Sequence, residues 1–282
     1  MRTTSSPVFS RRRWLALGGA CGAWGAEIAL GALSGCSGPA GTGGRRVQLR
    51  CRVEPGTVSF TNAFGWELGF ERLLVSIGPL LYLEGAPVTR GQPARGSFRE
   101  WLAVRSAHAH PGHYVGGGVL GEMLQPTSVD LVAGGSELGS GAGISGTALS
   151  GRFSFEAPPR GPFVDALGGA VVLAEGTARS GAETRSFRAR AELEDVVDPA
   201  ARPFVAGCPF SGGSIDDDGL VTLTLEPSIW FDQVDFAALA AGERSELSRG
   251  DTPHKAFARG LKKAAAYVFA YAPDPRSPEE KR

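Results

Sequence analysis

Strict alternation of apolar and polar residues is the feature that most constrains the fold of this 282-residue chain. Residues 47–53, Val-Gln-Leu-Arg-Cys-Arg-Val, alternate without a break, and residues 147–155 and 220–225 follow the same pattern. Successive side chains of a strand point to opposite faces, so each run predicts a strand with one buried face. The chain is therefore expected to build β-sheets.

Turn signals separate further strands along the chain. Residues 66–83 are largely apolar and are broken by Gly78-Pro79, which indicates one or two core strands with a bend. Residues 179–182, Arg-Ser-Gly-Ala, are typical of a hairpin turn between two strands. The Gly/Ser-rich residues 134–146 are expected to form turns.

One helix is expected near the end, with Thr252 as its cap and Pro253 in its first turn. It leads into a closing strand over residues 267–271. About ten short strands with so little helix indicate an antiparallel sandwich or barrel. We predict an all-β fold, an antiparallel β-sandwich of immunoglobulin-like or related type, with one short C-terminal helix.

The first residues have the features of an export signal. Arg11 and Arg12 precede Trp14 and a Gly/Ala/Leu-rich run, which ends in residues 33–36, Leu-Ser-Gly-Cys. The arginine pair resembles a twin-arginine signal, and the Leu-Ser-Gly-Cys stretch resembles the lipobox of bacterial lipoproteins. The resemblance implies cleavage before Cys36 and attachment of lipid, palmitate included, to that residue. The alternative is an uncleaved membrane anchor, but Glu27 and five glycines make the run a poor one.

These signals divide the chain into four parts. Residues 1–35 form the signal peptide, 36–46 a lipid-anchored tether, 47–272 the β-sandwich domain and 273–282 a charged tail. Ser37 after the lipid-bearing Cys36 resembles the pattern of lipoproteins that are directed to the outer membrane. The protein is therefore expected to be exported and lipid-anchored to the cell envelope, at the outer membrane.

Two cysteines remain after the leader and the lipid-bearing residue are set aside, Cys51 and Cys208. An even number in an oxidising compartment predicts a disulfide between them, and two separate buried thiols are the alternative. The formal net charge is zero, so no basic composition points to nucleic acid.

Three of the four histidines lie in residues 107–114, Ala-His-Ala-His-Pro-Gly-His-Tyr. His108 and His110 would share one face of an extended chain, and the Pro-Gly turn could bring His113 back towards them. Imidazole ligands suit Cu or Zn, whereas Ca and Mg prefer oxygen. The cluster therefore predicts a Cu or Zn site, against the alternative of three solvated histidines in a surface loop.

Carboxylates elsewhere could complete such a site. Glu122 is near in sequence, and Asp232 and Asp235 lie among aromatic residues, although each is more typical of a solvated acid. His254, in the first turn of the expected helix, is expected to be a surface residue. The chain has no Gly-x-Ser-x-Gly, His-Glu-x-x-His or phosphate-cradling motif, so we do not expect an enzyme.

Four short segments resemble poorly characterised bacterial periplasmic lipoproteins. They are residues 64–67, 78–82, 110–114 and 230–236, and the last, Trp-Phe-Asp-Gln-Val-Asp-Phe, is similar to a segment of the periplasmic copper-binding partner proteins associated with methanobactin uptake. The resemblance implies a β-rich, metal-handling protein beside an outer-membrane receptor. The alternative is a structural or adhesive envelope domain that binds protein or polysaccharide without metal.

Overall fold

The computed structural model describes residues 44–87, 116–198, 200–242 and 244–274. Its first strand follows the alternation of the sequence, because Val47, Leu49, Cys51 and Val53 are buried while the residues between them are exposed or half-buried. The prediction for residues 47–53 is confirmed, and the mostly β character of the chain with it.

The sixteen strands of the described residues are β1 (Arg46–Pro55), β2 (Ser59–Thr61), β3 (Glu67–Ile77), β4 (Leu80–Leu83), β5 (Val119–Met123), β6 (Thr127–Asp130), β7 (Ser136–Ile144), β8 (Gly146–Thr147), β9 (Ser150–Ser154), β10 (Val172–Ser180), β11 (Glu183–Ala191), β12 (Phe204–Ser211), β13 (Ser214–Ile215), β14 (Gly219–Leu225), β15 (Ser245–Glu246) and β16 (Tyr267–Pro273). The α-helices are α1 (Val164–Leu167), α2 (Leu193–Val196), α3 (Pro227–Phe231) and α4 (Thr252–Leu261), and residues 236–238 and 264–266 form 3-10 turns.

Eight strands close into a barrel, in the order β1-β14-β16-β12-β9-β4-β5-β7. β1 pairs with β14 in parallel over Leu49–Pro55, and β12 pairs with β16 in parallel, while the other pairs of the barrel are antiparallel. The prediction of an antiparallel sandwich is corrected in this respect. Alternation reports a buried face, which sandwiches and barrels share, and does not encode the pairing of distant strands.

A second sheet has the order β15-β11-β10-β3-β2, and β6 also pairs with β3. The predicted hairpin is confirmed, since β10 and β11 pair in antiparallel register up to Ser180 and Glu183 and Gly181 has a positive φ of 57°. The predicted bend at Gly78-Pro79 separates β3, in this sheet, from β4, in the barrel. The apolar segment of residues 66–83 therefore contributes one strand to each of the two sheets.

The two sheets share one hydrophobic core, which helices α3 and α4 complete. Phe231 of α3 stacks on Phe257 of α4 at 4.7 Å between ring centroids and also contacts Phe187 of β11 at 5.7 Å. Trp230 contacts Tyr267 of β16 at 6.3 Å. The predicted C-terminal helix is confirmed as α4, but its N-cap is Asp251, and the predicted cap Thr252 is instead its first residue. Three shorter α-helices accompany it among the described residues.

Candidate functional site

The three clustered histidines belong to the chain that connects β4 to β5. His108, His110 and His113 lie outside the described residues, as do Cys36, Arg11 and Arg12 of the export signal. The strands on either side are fixed next to each other: β4 and β5 pair in antiparallel register, and Gly85 N–H donates to the Gly116 carbonyl at 2.8 Å. The connection therefore leaves and re-enters the barrel at one place.

Glu122 lies on β5, the strand that follows the histidine-bearing connection. Its side chain is half-buried and lines a groove on the barrel together with Arg46 of β1 and Ala142 of β7. Within the described residues, His, Cys, Asp and Glu side chains form no group of three that could hold a metal ion. Glu122 thus stands apart from the other carboxylates that the sequence suggested.

Asp232 and Asp235 have local roles in a turn that is anchored by aromatic residues. The Asp235 carboxylate accepts a hydrogen bond from Ala237 N–H at 2.9 Å and so caps the 3-10 turn. Asp232 accepts from the neighbouring Gln233 amide at 2.7 Å. Trp230, Phe231, Val234 and Phe236 around them are fully buried. The segment that suggested metal ligands thus contributes buried aromatic residues to the core.

A buried amide holds this segment in place. The Asn62 side chain donates to the carbonyls of Phe231 at 3.2 Å and Val234 at 2.7 Å. Its oxygen accepts from the backbone N–H groups of Phe64 and Trp66, each at 3.0 Å. Asn62 therefore joins two of the segments on which the resemblance to periplasmic lipoproteins depends.

Cys51 and Cys208 are buried free thiols, and the predicted bridge is not formed in the structure. They lie on β1 and β12, with β14 and β16 between them in the barrel wall. Neighbouring strands are about 4.8 Å apart, so the two α-carbons exceed the roughly 7 Å that a disulfide allows. The alternation of residues 47–53 places Cys51 on the core face, but the sequence around Cys208 is typical of a loop and does not show that this residue lies in β12.

Burial keeps both thiols protonated. It raises the pKa of Cys51 to about 11, an effect that contact with the Tyr82 hydroxyl partly opposes. It raises the pKa of Cys208 to about 12, and there a hydrogen bond involving the Phe153 backbone acts in the opposite direction. Because thiolate is the nucleophile and the metal ligand, these environments suit structural cysteines.

A polar cleft lies between α2 and α4, with a volume of about 390 Å³. His254 lines it and is buried, so the expectation of a surface residue is wrong. Its Nε2 lies 3.1 Å from the Arg190 carbonyl and 3.7 Å from an Asp195 oxygen. A carbonyl only accepts, so Nε2 carries the proton and donates to it.

Ion pairs fill much of this cleft. Arg249 contacts three carboxylates, at 3.7 Å from Glu192, 2.8 Å from Glu194 and 3.1 Å from Asp195. Lys262 donates to the Asp195 carbonyl at 3.0 Å. These contacts fasten α2 to α4, so the side chains that line the cleft are largely used in holding the fold together.

The groove beside Glu122 is different, because its lining is mainly apolar. Val47, Val119, Leu120 and Ile144 contribute to a volume of about 430 Å³ between β1, β5 and β7. Here β5 and β7 pair only at Gly121 with Gly143 and Glu122 with Ala142. Val119 is left 48% exposed. Sequence reasoning missed this groove, since its walls come from three separated strands.

Comparison with known proteins found no matching family model, no matching curated protein and no matching solved structure. Across the described ranges, no helix combines the length and the apolar character that crossing a bilayer requires.

Proposed function

We propose that the protein is a lipid-anchored envelope protein that binds a transition metal, Cu or Zn, or a complex of such a metal. His108, His110 and His113 would supply the nitrogen ligands, and Cys36 the lipid attachment. The signal and lipobox residues support the location, the cell envelope, and Ser37 supports its outer membrane. A receptor in that membrane is the partner that the resemblance to copper-binding partner proteins suggests. We propose a binding role rather than catalysis, and no role with nucleic acid.

The main support for this proposal is the position of the His-x-His-Pro-Gly-His stretch in the chain. It lies between two strands that are neighbours in the barrel wall and whose ends are fixed by hydrogen bonds between residues 84–85 and 116–118. Binding residues commonly lie on connections that a rigid scaffold holds at both ends. Two imidazoles at i and i+2 with a third after a turn are a donor set that suits Cu or Zn.

Glu122 is the oxygen donor that we favour to complete the site. It is on the strand that directly follows the connection, and among the described residues its carboxylate makes no side-chain hydrogen bond or ion pair. The carboxylates of Asp232 and Asp235 instead make the local hydrogen bonds of their turn. Glu122→Gln should therefore weaken metal binding more than Asp232→Asn or Asp235→Asn.

The test is metal analysis of the mature chain, residues 36–282, purified without a histidine tag. Bound Cu, Zn and Fe are measured by mass spectrometry of the metals, and Cu and Zn are titrated into the metal-free protein. We expect stoichiometric binding, lost in the variant with His108, His110 and His113 all changed to Ala. His254→Gln is the matched control, because the glutamine amide can still donate to the Arg190 carbonyl, and it should bind metal normally.

Two outcomes would contradict the proposal: no stoichiometric binding at micromolar metal, or unchanged binding in the triple variant. Either would favour the other class of function, a structural or adhesive envelope domain that binds protein or polysaccharide. The location is tested separately, by the mass of the lipid on Cys36 and its loss in Cys36→Ser.

A further inference from the structure

The point at which the chain enters the barrel is held firmly. Arg45 N–H donates to Ser145 Oγ at 2.8 Å, and the Arg45 carbonyl accepts from Ser145 N–H at 2.7 Å. The Arg45 guanidinium also pairs with Asp217. The start of β1 is thus tied to the end of β7 and to the turn before β14, so the position of Arg45 on the barrel is fixed.

Strand register shows which residues share this end of the barrel. Arg46 pairs with Ile144, Leu83 with Val119, and Gly219 with Pro273. We call this the entry end. The opposite end holds the other ends of the same strands, and the second sheet joins there, because β3 finishes at Ile77 just before β4 begins.

The entry end exposes apolar side chains. Val119 is 48% exposed and Leu149 is 43% exposed, and they flank Leu83 on its two sides: Val119 pairs with Leu83, and Leu149 N–H donates to the Leu83 carbonyl at 2.9 Å. The apolar groove of about 430 Å³ described above opens beside Val119. Its lining includes Arg46, so groove and chain entry are at one corner of the barrel.

The length of chain before the described residues limits how far this end can be from a membrane. Cys36 precedes Gly44 by eight residues, since 44 − 36 = 8. A chain extends by at most about 3.3–3.6 Å per residue, so the lipid-bearing residue is within about 29 Å of Gly44. The opposite end lies farther from Gly44 by the length of β1, about 25 Å for ten residues once strand tilt is allowed for, so a protein that turned that end to the membrane would have to extend nearly the whole tether.

We propose that the entry end is the membrane-facing surface of the protein, with its apolar groove and the Val119–Leu149 rim against the lipid surface. This inference rests on the proposed lipid anchor. The Arg45 guanidinium pairs with Asp217, and the groove lining is mainly apolar although it includes the exposed Arg46, so we expect apolar contact to contribute more than attraction to lipid charge. Pro87 and Gly116, between which the histidine-bearing connection runs, lie at this same end.

The test compares a matched pair of labelled variants, Thr147→Cys at the entry end and Thr57→Cys at the opposite end. Both threonines are exposed, and the buried Cys51 and Cys208 should not react with maleimide in the folded protein. Lipidated mature protein is bound to phosphatidylethanolamine vesicles that contain an acceptor dye on a fraction of the headgroups. Energy transfer from each labelled site to the acceptor is then measured, with and without added phosphatidylglycerol.

We expect at least twofold greater transfer from the Thr147→Cys site, at either lipid composition. Changing Val119 and Leu149 together to Asp should reduce that transfer, whereas Val132→Asp, at a valine that is 40% exposed elsewhere, should not. Equal transfer from the two sites, or greater transfer from the Thr57→Cys site, overturns the inference. If mass spectrometry finds no lipid on Cys36, the anchor in the proposed function fails, and this inference fails with it.

Discussion

Replacing Asn62 by Ala should destabilise the protein more than its small change in volume suggests. The side chain is only 6% exposed. Its amide makes two hydrogen bonds to carbonyls of residues 231 and 234, and its oxygen accepts two from residues 64 and 66. Ala keeps none of these four. The two carbonyls and two N–H groups would lose their partners around the aromatic turn that completes the core.

The expected loss can be worked out from that count. A hydrogen bond contributes about 1 kcal/mol net, and a buried group left without a partner costs about 1–3 kcal/mol. Four bonds would give about 4 kcal/mol if nothing relaxed. The hydrogen bond from Phe64 N–H is only partly buried, unlike the other three, so water can replace it in part and recover some of the loss. We therefore expect Asn62→Ala to lower the free energy of unfolding by about 3 kcal/mol.

Urea unfolding followed by tryptophan fluorescence measures this, because Trp66 and Trp230 are buried near the amide or the turn that it holds. Gln233→Ala is the control, since it removes an exposed amide from the same turn and should cost less than about 0.5 kcal/mol. A loss below about 1 kcal/mol for Asn62→Ala, with an unchanged dependence on urea, would refute the reasoning that the turn depends on this residue.

Two further predictions concern the barrel interior. A Cβ at Gly151 would lie 2.3 Å from the ring of Phe269, so Gly151→Ala should lower the free energy of unfolding in urea by about 1–3 kcal/mol. Gly69→Ala is the control and should lower it less, because a Cβ at Gly69 would have nothing within 4 Å. The raised pKa of Cys51, about 11, and of Cys208, about 12, means that both stay protonated while unfolded thiols ionise above about pH 9. Stability should therefore fall as the pH rises from 9 towards 11. Ellman's reagent should react with Cys51 and Cys208 only after unfolding, and rapid reaction of either of these two thiols in the folded protein at pH 8 would contradict this.

Local features of the fold could be predicted from the sequence because each depends on neighbouring residues. Alternation over residues 47–53 identifies β1, the Arg-Ser-Gly-Ala stretch identifies the β10–β11 hairpin, and Pro253 marks the first turn of α4. In each case the side-chain period or a backbone preference acts within a few residues. These features can therefore be predicted without knowing which distant residues they contact.

The features that the sequence did not show depend on residues far apart in the chain. The parallel pairing of β1 with β14 joins Leu49 to Gly219 and closes the barrel, and no local pattern encodes it. The same pairing places β14 and β16 between Cys51 and Cys208. His254 is buried because β11 supplies the carbonyl of Arg190, which its place in α4 does not reveal.

The structure of the glycine-rich residues 134–146 cannot be inferred from their composition alone. Their composition predicts turns, because glycine is disfavoured in strands, yet residues 136–144 are β7 of the barrel wall. A Cβ at Gly143 would lie 2.7 Å from Leu49 Cδ1, and one at Gly121 of the neighbouring β5 would lie 2.8 Å from the Tyr82 ring.

Glycine in these strands therefore makes room for large side chains that fill the barrel from its other walls. A barrel of eight strands is just wide enough for its interior to be filled in this way. Tyr82, Phe153 and Phe269 are all fully buried, so the interior is occupied by the protein itself. A ligand must then be bound outside the barrel wall or at its ends, and the apolar groove and the residues on both sides of the histidine-bearing connection, Gly85 and Gly116, lie at the entry end.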